Sequence, residues 1–164
     1  MNGFVRKATR VLQQNGAFTL VEVMITLILI TFMLSVAMPL AADALAHYQT
    51  VTTVRKLVSD IQYTQQLATR SEDPKASFEI IFSPPQEQYT IKHGSKTLRT
   101  EKFPVWVHLA GTNFGQPGLP EILTFNIQGN PVQAGTITII NRRSGKVYYV
   151  RVAVLTGRVR VESS

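Results

Sequence analysis

Side chains able to carry out catalysis or bind a metal are sparse in this chain. Its 164 residues include three histidines, His47, His93 and His108, and these stand far apart. None has a second His or a carboxylate pair at the spacing that a metal site uses. There are no cysteines, which excludes disulfides, thiolate metal ligands and a Cys nucleophile. With no glycine-rich phosphate loop or nucleophile motif either, we predict that the chain is not an enzyme and uses no metal or cofactor.

Basic residues form the one group near the C-terminus that could bind a ligand. Residues 129–164 hold six of them against one acid, Glu162, a balance of +5: Arg142, Arg143, Lys146, Arg151, Arg158 and Arg160. Residues two apart in a strand share a face, so Arg158 and Arg160 are expected to project together. Two interpretations stay open. The face could bind phosphates, and hence DNA, or it is an ordinary solubilising strand face.

Glu22 is the only charged residue in an apolar run that covers residues 17–42. A helix crosses a bilayer core with roughly 20 apolar residues, so the run is long enough to span. Arg6, Lys7 and Arg10 precede it without an accompanying acid. This asymmetry predicts a cytoplasmic N-terminus and an exported remainder.

Three other interpretations of the run compete with an assembly helix. It could be a secretory signal peptide cleaved near Ala44-Leu45-Ala46, a plain single-pass anchor, or a buried helix of a soluble domain. Signal peptides have apolar segments of about 7–15 residues, and a buried helix needs apolar partners all round it. Neither explains Glu22, because an ionisable group at membrane depth costs roughly 2.5–3.5 kcal/mol.

Glu22 gains a partner if a leader is removed before Phe18. Cleavage would create a new α-amino group one helical turn away. The carboxylate could then neutralise that amine on a neighbouring subunit, and it also suits the positive end of its own helix dipole. Misregistered subunits would be penalised, because a buried charge would lose its partner.

The stretch Gly16-Ala17-Phe18-Thr19-Leu20-Val21-Glu22-Val23-Met24-Ile25 resembles the leader-cleavage and N-methylation motif of type IV pilins and pseudopilins. Counted from Phe18 as the first mature residue, Glu22 is fifth and Pro39 twenty-second, as in that family. Ala17 stands where the family usually has Gly. Cleavage between Ala17 and Phe18 is favoured because it keeps both positions in register, and cleavage between Gly16 and Ala17 is the alternative.

This resemblance implies a leader over residues 1–17, removal by a prepilin peptidase, methylation of Phe18 to N-methylphenylalanine, and assembly through Glu22 and Pro39. The implied partners are other pilin or pseudopilin subunits, an inner-membrane assembly platform and membrane lipid, with DNA as a further possibility. The implied location is the bacterial inner (cytoplasmic) membrane, crossed once. The head would be exported to the periplasm or cell exterior and incorporated into a filament.

Beyond Pro39 the apolar residues recur at helical spacing on one stripe, with polar residues between them, among them Asp60. The stripe is Leu45, Tyr48, Val51, Val54, Val58, Ile61 and Ala68. We therefore predict one helix from Phe18 to Arg70, ended by the breaker cluster Ser71-Glu72-Asp73-Pro74. Residues 18–42 would be its transmembrane and assembly half, and residues 43–72 its amphipathic continuation.

Residues 73–164 are predicted to form a β-rich head, an antiparallel sheet packed on the helix in an α+β, pilin-like fold. The expected strands cover residues 76–83, 87–93, 96–103, 105–107, 122–127, 135–141, 146–155 and 158–161, with Trp106 in the core and a loop over 111–120.

The head also resembles the GspH/FimT group of minor pseudopilins, through residues 61–68, the Phe125 to Gly129 segment and the closing Gly157-Arg158-Val159-Arg160. The resemblance implies a minor subunit of a type II secretion pseudopilus or a type IV pilus. The alternative is a FimT-like minor pilin that binds DNA for natural transformation.

Overall fold

The computed structural model describes residues 18–71, 77–115, 120–154 and 156–164. The leader, both candidate cleavage bonds and Glu72–Pro74 of the breaker cluster lie outside the described residues. The chain divides into two compact units, Met1–Pro39 and Leu40–Ser164. Helix α1, Leu20–Arg70, contributes its first 20 residues to the first unit and the remainder to the second. The predicted helix is thus present, beginning two residues after Phe18.

The second unit contains eight strands: β1 (Phe78–Ser83), β2 (Gln88–His93), β3 (Lys96–Lys102), β4 (Val107–Thr112), β5 (Glu121–Phe125), β6 (Gly135–Asn141), β7 (Val147–Val152) and β8 (Val159–Ser163). They form two four-stranded antiparallel sheets, in the orders β3-β2-β1-β5 and β4-β6-β7-β8. The α+β class with an antiparallel head is confirmed. That there are two sheets is new, because β5 follows β4 in the chain but pairs with β1 of the other sheet.

Local chemistry explains the turns that set the strand order. Pro84–Gln86 form a turn of 3-10 helix between β1 and β2, with the proline ring restricting φ at its start. Glu87 ends that turn at φ +50°, a left-handed conformation uncommon for a residue with a side chain. Gly94, at φ +54°, makes the tight turn into β3.

Both sheets and α1 bury their apolar faces in one core. Strand β6 alternates strictly, so that Ile137 and Ile139 point inward, and β1 does the same with Ile80. From the helix, Leu57 and Ile61 are fully buried in the same cluster. Each such side chain contributes roughly 1.5–3 kcal/mol by leaving water.

The buried face of α1 includes Val54, Ile61 and Ala68 of the predicted stripe but differs from it elsewhere. Leu45 and Tyr48 are exposed, whereas the buried residues are Ala46, Thr50, Val54, Leu57, Asp60, Ile61, Thr64 and Ala68. The polar side chains are tolerated there because each has a hydrogen-bond partner. The Thr50 and Thr64 hydroxyls, for example, donate to backbone carbonyls one turn earlier. Periodicity of apolar residues alone could not identify these positions.

The predicted strand at residues 105–107 is also wrong in part. Only Val107 belongs to β4, and Val105 and Trp106 form the turn before it. Val105 is 81% exposed and Trp106 is partly exposed, so neither is a core residue. The strand instead continues to Thr112, into the segment predicted to be loop.

Candidate functional site

The first unit presents an apolar helical surface that its own residues leave uncovered. Large apolar side chains from Leu20 to Met38 are exposed around the whole helix. The helix is long and apolar enough to cross a membrane, with a mean hydropathy of 2.4 over its most apolar window. Thr26, Thr31 and Ser35 donate their hydroxyls to backbone carbonyls three or four residues earlier. These polar groups therefore need no water, as a segment in lipid requires.

Glu22 lies in the first turn of this segment, where its negative charge suits the helix dipole. Its backbone N–H donates to the Thr19 hydroxyl at 3.2 Å, so Thr19 is the N-cap of α1. The Thr-x-x-Glu spacing is that of a capping box, a local role for Glu22 that the sequence reasoning did not consider. Its side chain is exposed, and no side chain within the described ranges pairs with it. Pro39 lies inside the helix.

The six basic residues predicted as one surface fall into two groups. The distal group is Arg151, Arg158 and Arg160. In the antiparallel β7–β8 pair Arg151 stands directly opposite Arg160, and Arg158 directly precedes β8. The three line an open groove of about 270 Å³ together with Glu162, whose carboxylate is 3.3 Å from Arg151. With three arginines and one glutamate, the groove has a formal net charge of +2.

The proximal group is Arg142, Arg143 and Lys146, in and beside the turn between β6 and β7. Arg143 pairs with Asp43 of α1, and its guanidinium lies 5.7 Å from the Trp106 ring centroid. Arg142 pairs with Glu87 at 2.6 Å. Lys146 is exposed, with its ammonium 5.6 Å from the Tyr148 ring.

The two groups lie near different points of α1. The proximal group is held at Asp43. The distal group follows Gly157, which packs so closely on Gln65 that an added Cβ would lie 2.2 Å from its amide nitrogen. Asp43 and Gln65 are 22 residues apart on one helix, or about 33 Å at 1.5 Å per residue. The two groups therefore reach α1 at different points, although Lys146 and Arg151, five residues apart in the chain, are at most about 18 Å from each other.

A polar network joining α1 to the first sheet was not anticipated from the sequence. Asp60, 5% exposed, accepts a 2.5 Å hydrogen bond from the Tyr89 hydroxyl and pairs with Arg99 at 3.2 Å. Glu101 bridges Arg99 and Lys56. The bond from Lys56 and that from Arg99 hold the pKa of Glu101 below its usual value, despite some burial. The sequence offers one signal for this network, Asp60, and that signal is useful only if the position is recognised as buried.

A second carboxylate ties the two sheets together. Glu87 accepts hydrogen bonds from the Leu109 N–H at 2.7 Å, from His108 at 2.5 Å and from Arg142 at 2.6 Å. Burial opposes ionisation, but these three bonds outweigh it and lower the pKa of Glu87. Glu87 directly precedes β2, and its partners lie in β4 and just after β6. Its contacts therefore stabilise the packing of these strands.

The histidines do not converge on a site. His108 contacts Glu87, His93 stacks on Phe78 with ring centroids 4.4 Å apart, and His47 is exposed on α1. Within the ranges that the structure describes, no three His, Asp or Glu side chains are grouped to hold a metal ion.

Among solved structures, the chain is similar to the minor pseudopilin EpsH from the type 2 secretion system of Vibrio cholerae. The similarity covers 70% of this chain and 97% of that chain, with a TM-score of 0.55 and 12% sequence identity. No family model and no curated protein matches the chain. At this identity the likeness shows the fold: a long N-terminal helix with an antiparallel head, as predicted for a pilin-like subunit.

Proposed function

We propose that the chain is a membrane-anchored minor pseudopilin or pilin, a structural subunit of a type II secretion pseudopilus or a type IV pilus. The observation that carries this proposal is a helix exposed and apolar all round from Leu20 to Met38, on a chain with a pseudopilin fold. Such a surface is stable only in lipid or against other apolar helices. A subunit that waits in the membrane and then packs into a filament core uses both environments in turn.

The proposed processing makes Glu22 the residue that sets subunit register. Removal of residues 1–17 by a prepilin peptidase would expose the α-amino group of Phe18, which is then methylated. The Glu22 carboxylate, which lacks a side-chain partner among the described residues, is one helical turn away. A neighbouring subunit's amine would supply the missing charge in the apolar core of the filament.

Mass analysis of the N-terminus of membrane-extracted protein, made in cells that contain a prepilin peptidase, tests this proposal. The expected species begins at a methylated Phe18, and a peptidase-deficient strain provides the control in which Met1 is retained. A species that keeps Met1 in both strains would contradict the proposal. So would one that begins at His47, because this would make the run a secretory signal peptide.

A second candidate function, DNA binding at the distal groove, is favoured by the opposition of Arg151 and Arg160 across β7 and β8. Like charges at facing cross-strand positions repel each other, and Glu162 neutralises only one of the three arginines in the groove. A phosphate backbone would relieve that repulsion. A FimT-like subunit that captures DNA for uptake is the form this function would take.

Salt dependence of DNA affinity separates the second candidate from a solubilising face. Three arginine–phosphate contacts with duplex DNA predict a slope of log affinity against log salt of about −2.7, and Arg158→Gln with Arg160→Gln should reduce it to about −0.9. The matched control is Arg142→Gln with Lys146→Gln, which removes the same charge outside the groove. Equal losses in both double variants, or a slope near zero in the parent, would refute groove binding.

A further inference from the structure

The corner of the head formed around Asp43 combines an exposed apolar turn with basic side chains. Val105, 81% exposed, and the partly exposed Trp106 form the turn before β4. The Arg142 N–H donates to the Trp106 carbonyl at 2.8 Å, and the Arg143 guanidinium lies near the indole ring while pairing with Asp43. The turn is therefore held in place, with Val105 exposed and Trp106 partly exposed.

Chain connectivity keeps this corner only a few residues beyond the apolar run. Asp43 directly follows Ala42, the last residue of the apolar run. At 1.5 Å per helical residue, the first turn of α1 beyond that run extends only about 5 Å. Since Arg143 contacts Asp43 within the head unit, chain length keeps the corner within a few residues of the end of the run.

The residue types at the corner are those that stabilise proteins at the lipid headgroup level. Trp is enriched there because its ring is apolar while its N–H needs a polar partner. Basic side chains close to anionic lipids add electrostatic attraction. The corner carries Arg142, Arg143 and Lys146 against Asp43 and Glu87, an excess of one positive charge.

We propose that this corner, termed the membrane-facing corner, docks on the lipid surface, with Val105 and Trp106 in the interfacial layer and Lys146 beside anionic headgroups. Docking would orient the head before the subunit enters a filament. Docking would also give the two basic groups different ligands. The basic residues at the corner would bind lipid headgroups, and the distal group would be available to bind another anion. The inference rests on the proposed membrane anchor.

Tryptophan fluorescence tests the inference at one site, because Trp106 is the only Trp in the chain. The full chain is reconstituted into phosphatidylcholine vesicles with and without phosphatidylglycerol, each containing a nitroxide-labelled lipid. The label is placed either on the headgroup or deep in the acyl chain. Trp106 emission is expected to be quenched more by the headgroup label, more strongly in the anionic vesicles, and less as salt is raised.

Two surface variants should reduce the quenching without affecting the fold, since both side chains are exposed. Val105→Asp removes the apolar contact and adds a repelled charge. Lys146→Glu changes the charge of the corner by two units. Each unit should lower the occupancy of the docked state on an anionic membrane about fivefold. The matched controls outside the corner are Val132→Asp, at a position 65% exposed, and Arg158→Glu, at a position that is also exposed. Both controls should be quenched like the parent.

The outcomes distinguish the inference from the proposed function. A chain that does not float with vesicles refutes the membrane anchor and the docking together. A chain that floats while Trp106 is quenched equally by both labels, or equally in the corner and control variants, refutes the docking alone. If Lys146→Glu leaves quenching unchanged but lowers affinity for added DNA, the corner binds nucleic acid and the lipid assignment is wrong.

Discussion

The hydrogen bond between Tyr89 and Asp60 offers the sharpest test of how α1 is held on the head. The hydroxyl of Tyr89, which is 2% exposed, donates at 2.5 Å to the 5% exposed Asp60 carboxylate. Burial and that carboxylate together raise the pKa of Tyr89, so the hydroxyl remains a donor at physiological pH. Tyr89→Phe removes only this donor, because the ring keeps its packing on Phe103, with centroids 5.8 Å apart.

The expected cost follows from the charge and burial of the acceptor. A hydrogen bond to a charged group contributes about 1.5–3 kcal/mol, roughly twice a neutral one. Asp60 keeps Arg99, so its charge is not left alone, and we expect a loss of about 2 kcal/mol in the free energy of unfolding. In an Asp60→Asn background the bond becomes neutral, and the same Tyr89→Phe change should cost only about 1 kcal/mol.

Urea denaturation of the full chain in detergent micelles, followed by circular dichroism, measures this loss. With a slope of about 1–3 kcal/mol per molar urea, the midpoint should fall by about 1 M. Tyr63→Phe is the control, since Tyr63 lies on the same helix and is half exposed. A Tyr89→Phe midpoint equal to that of the control would refute the reasoning, as would an equal cost in the Asp60→Asn background.

Three further predictions concern assembly, packing and pH. Glu22→Gln should leave membrane insertion intact but abolish recovery of the subunit in sheared filaments. Glu22→Asp, which keeps the charge, should retain part of that recovery. Normal assembly of the Gln variant would exclude a pair between the Glu22 carboxylate and a neighbouring subunit's amine. Gly135→Ala should destabilise the head by about 1–3 kcal/mol in urea titrations, because its Cβ would lie 2.2 Å from the buried Phe114 ring; an unchanged midpoint would show that the ring relaxes. Folding lowers the pKa values of Glu87 and Glu101, so both carboxylates stabilise the fold above the unfolded pKa near 4.5, and this stabilisation is lost as pH falls through the folded pKa. The urea midpoint should therefore be lower at about pH 3.5 than at about pH 6. A constant midpoint would contradict this.

Local pattern was sufficient for much of the fold. The apolar run with Glu22 and the breaker cluster after Arg70 together predicted α1 nearly to its ends. Proline and glycine marked the turns, and alternation marked β6 to the residue. These features depend on a few neighbouring residues and on the period of helix or strand, which a sequence displays directly.

Pairing and burial required the three-dimensional structure. The strands predicted at residues 105–107 and 122–127 say nothing about which partner each joins, so two sheets were not predicted. The burial of Asp60 depends on Tyr89 reaching it across 29 positions of sequence. Hydropathy assigns an acidic residue to solvent unless the partner that satisfies it is known.

The basic C-terminal segment shows most clearly which features follow from the sequence and which require the tertiary structure. Its composition alone determined that six cations must lie close together in the chain, and the N-terminal run alone determined a helix suited to a membrane. Only the tertiary structure decided that Arg143 meets Asp43 while Gly157, just before Arg158, meets Gln65, about 33 Å farther along the helix. The reason is geometric: β7 lies between these two contacts with α1, so residues only 14 positions apart in the chain face different surroundings.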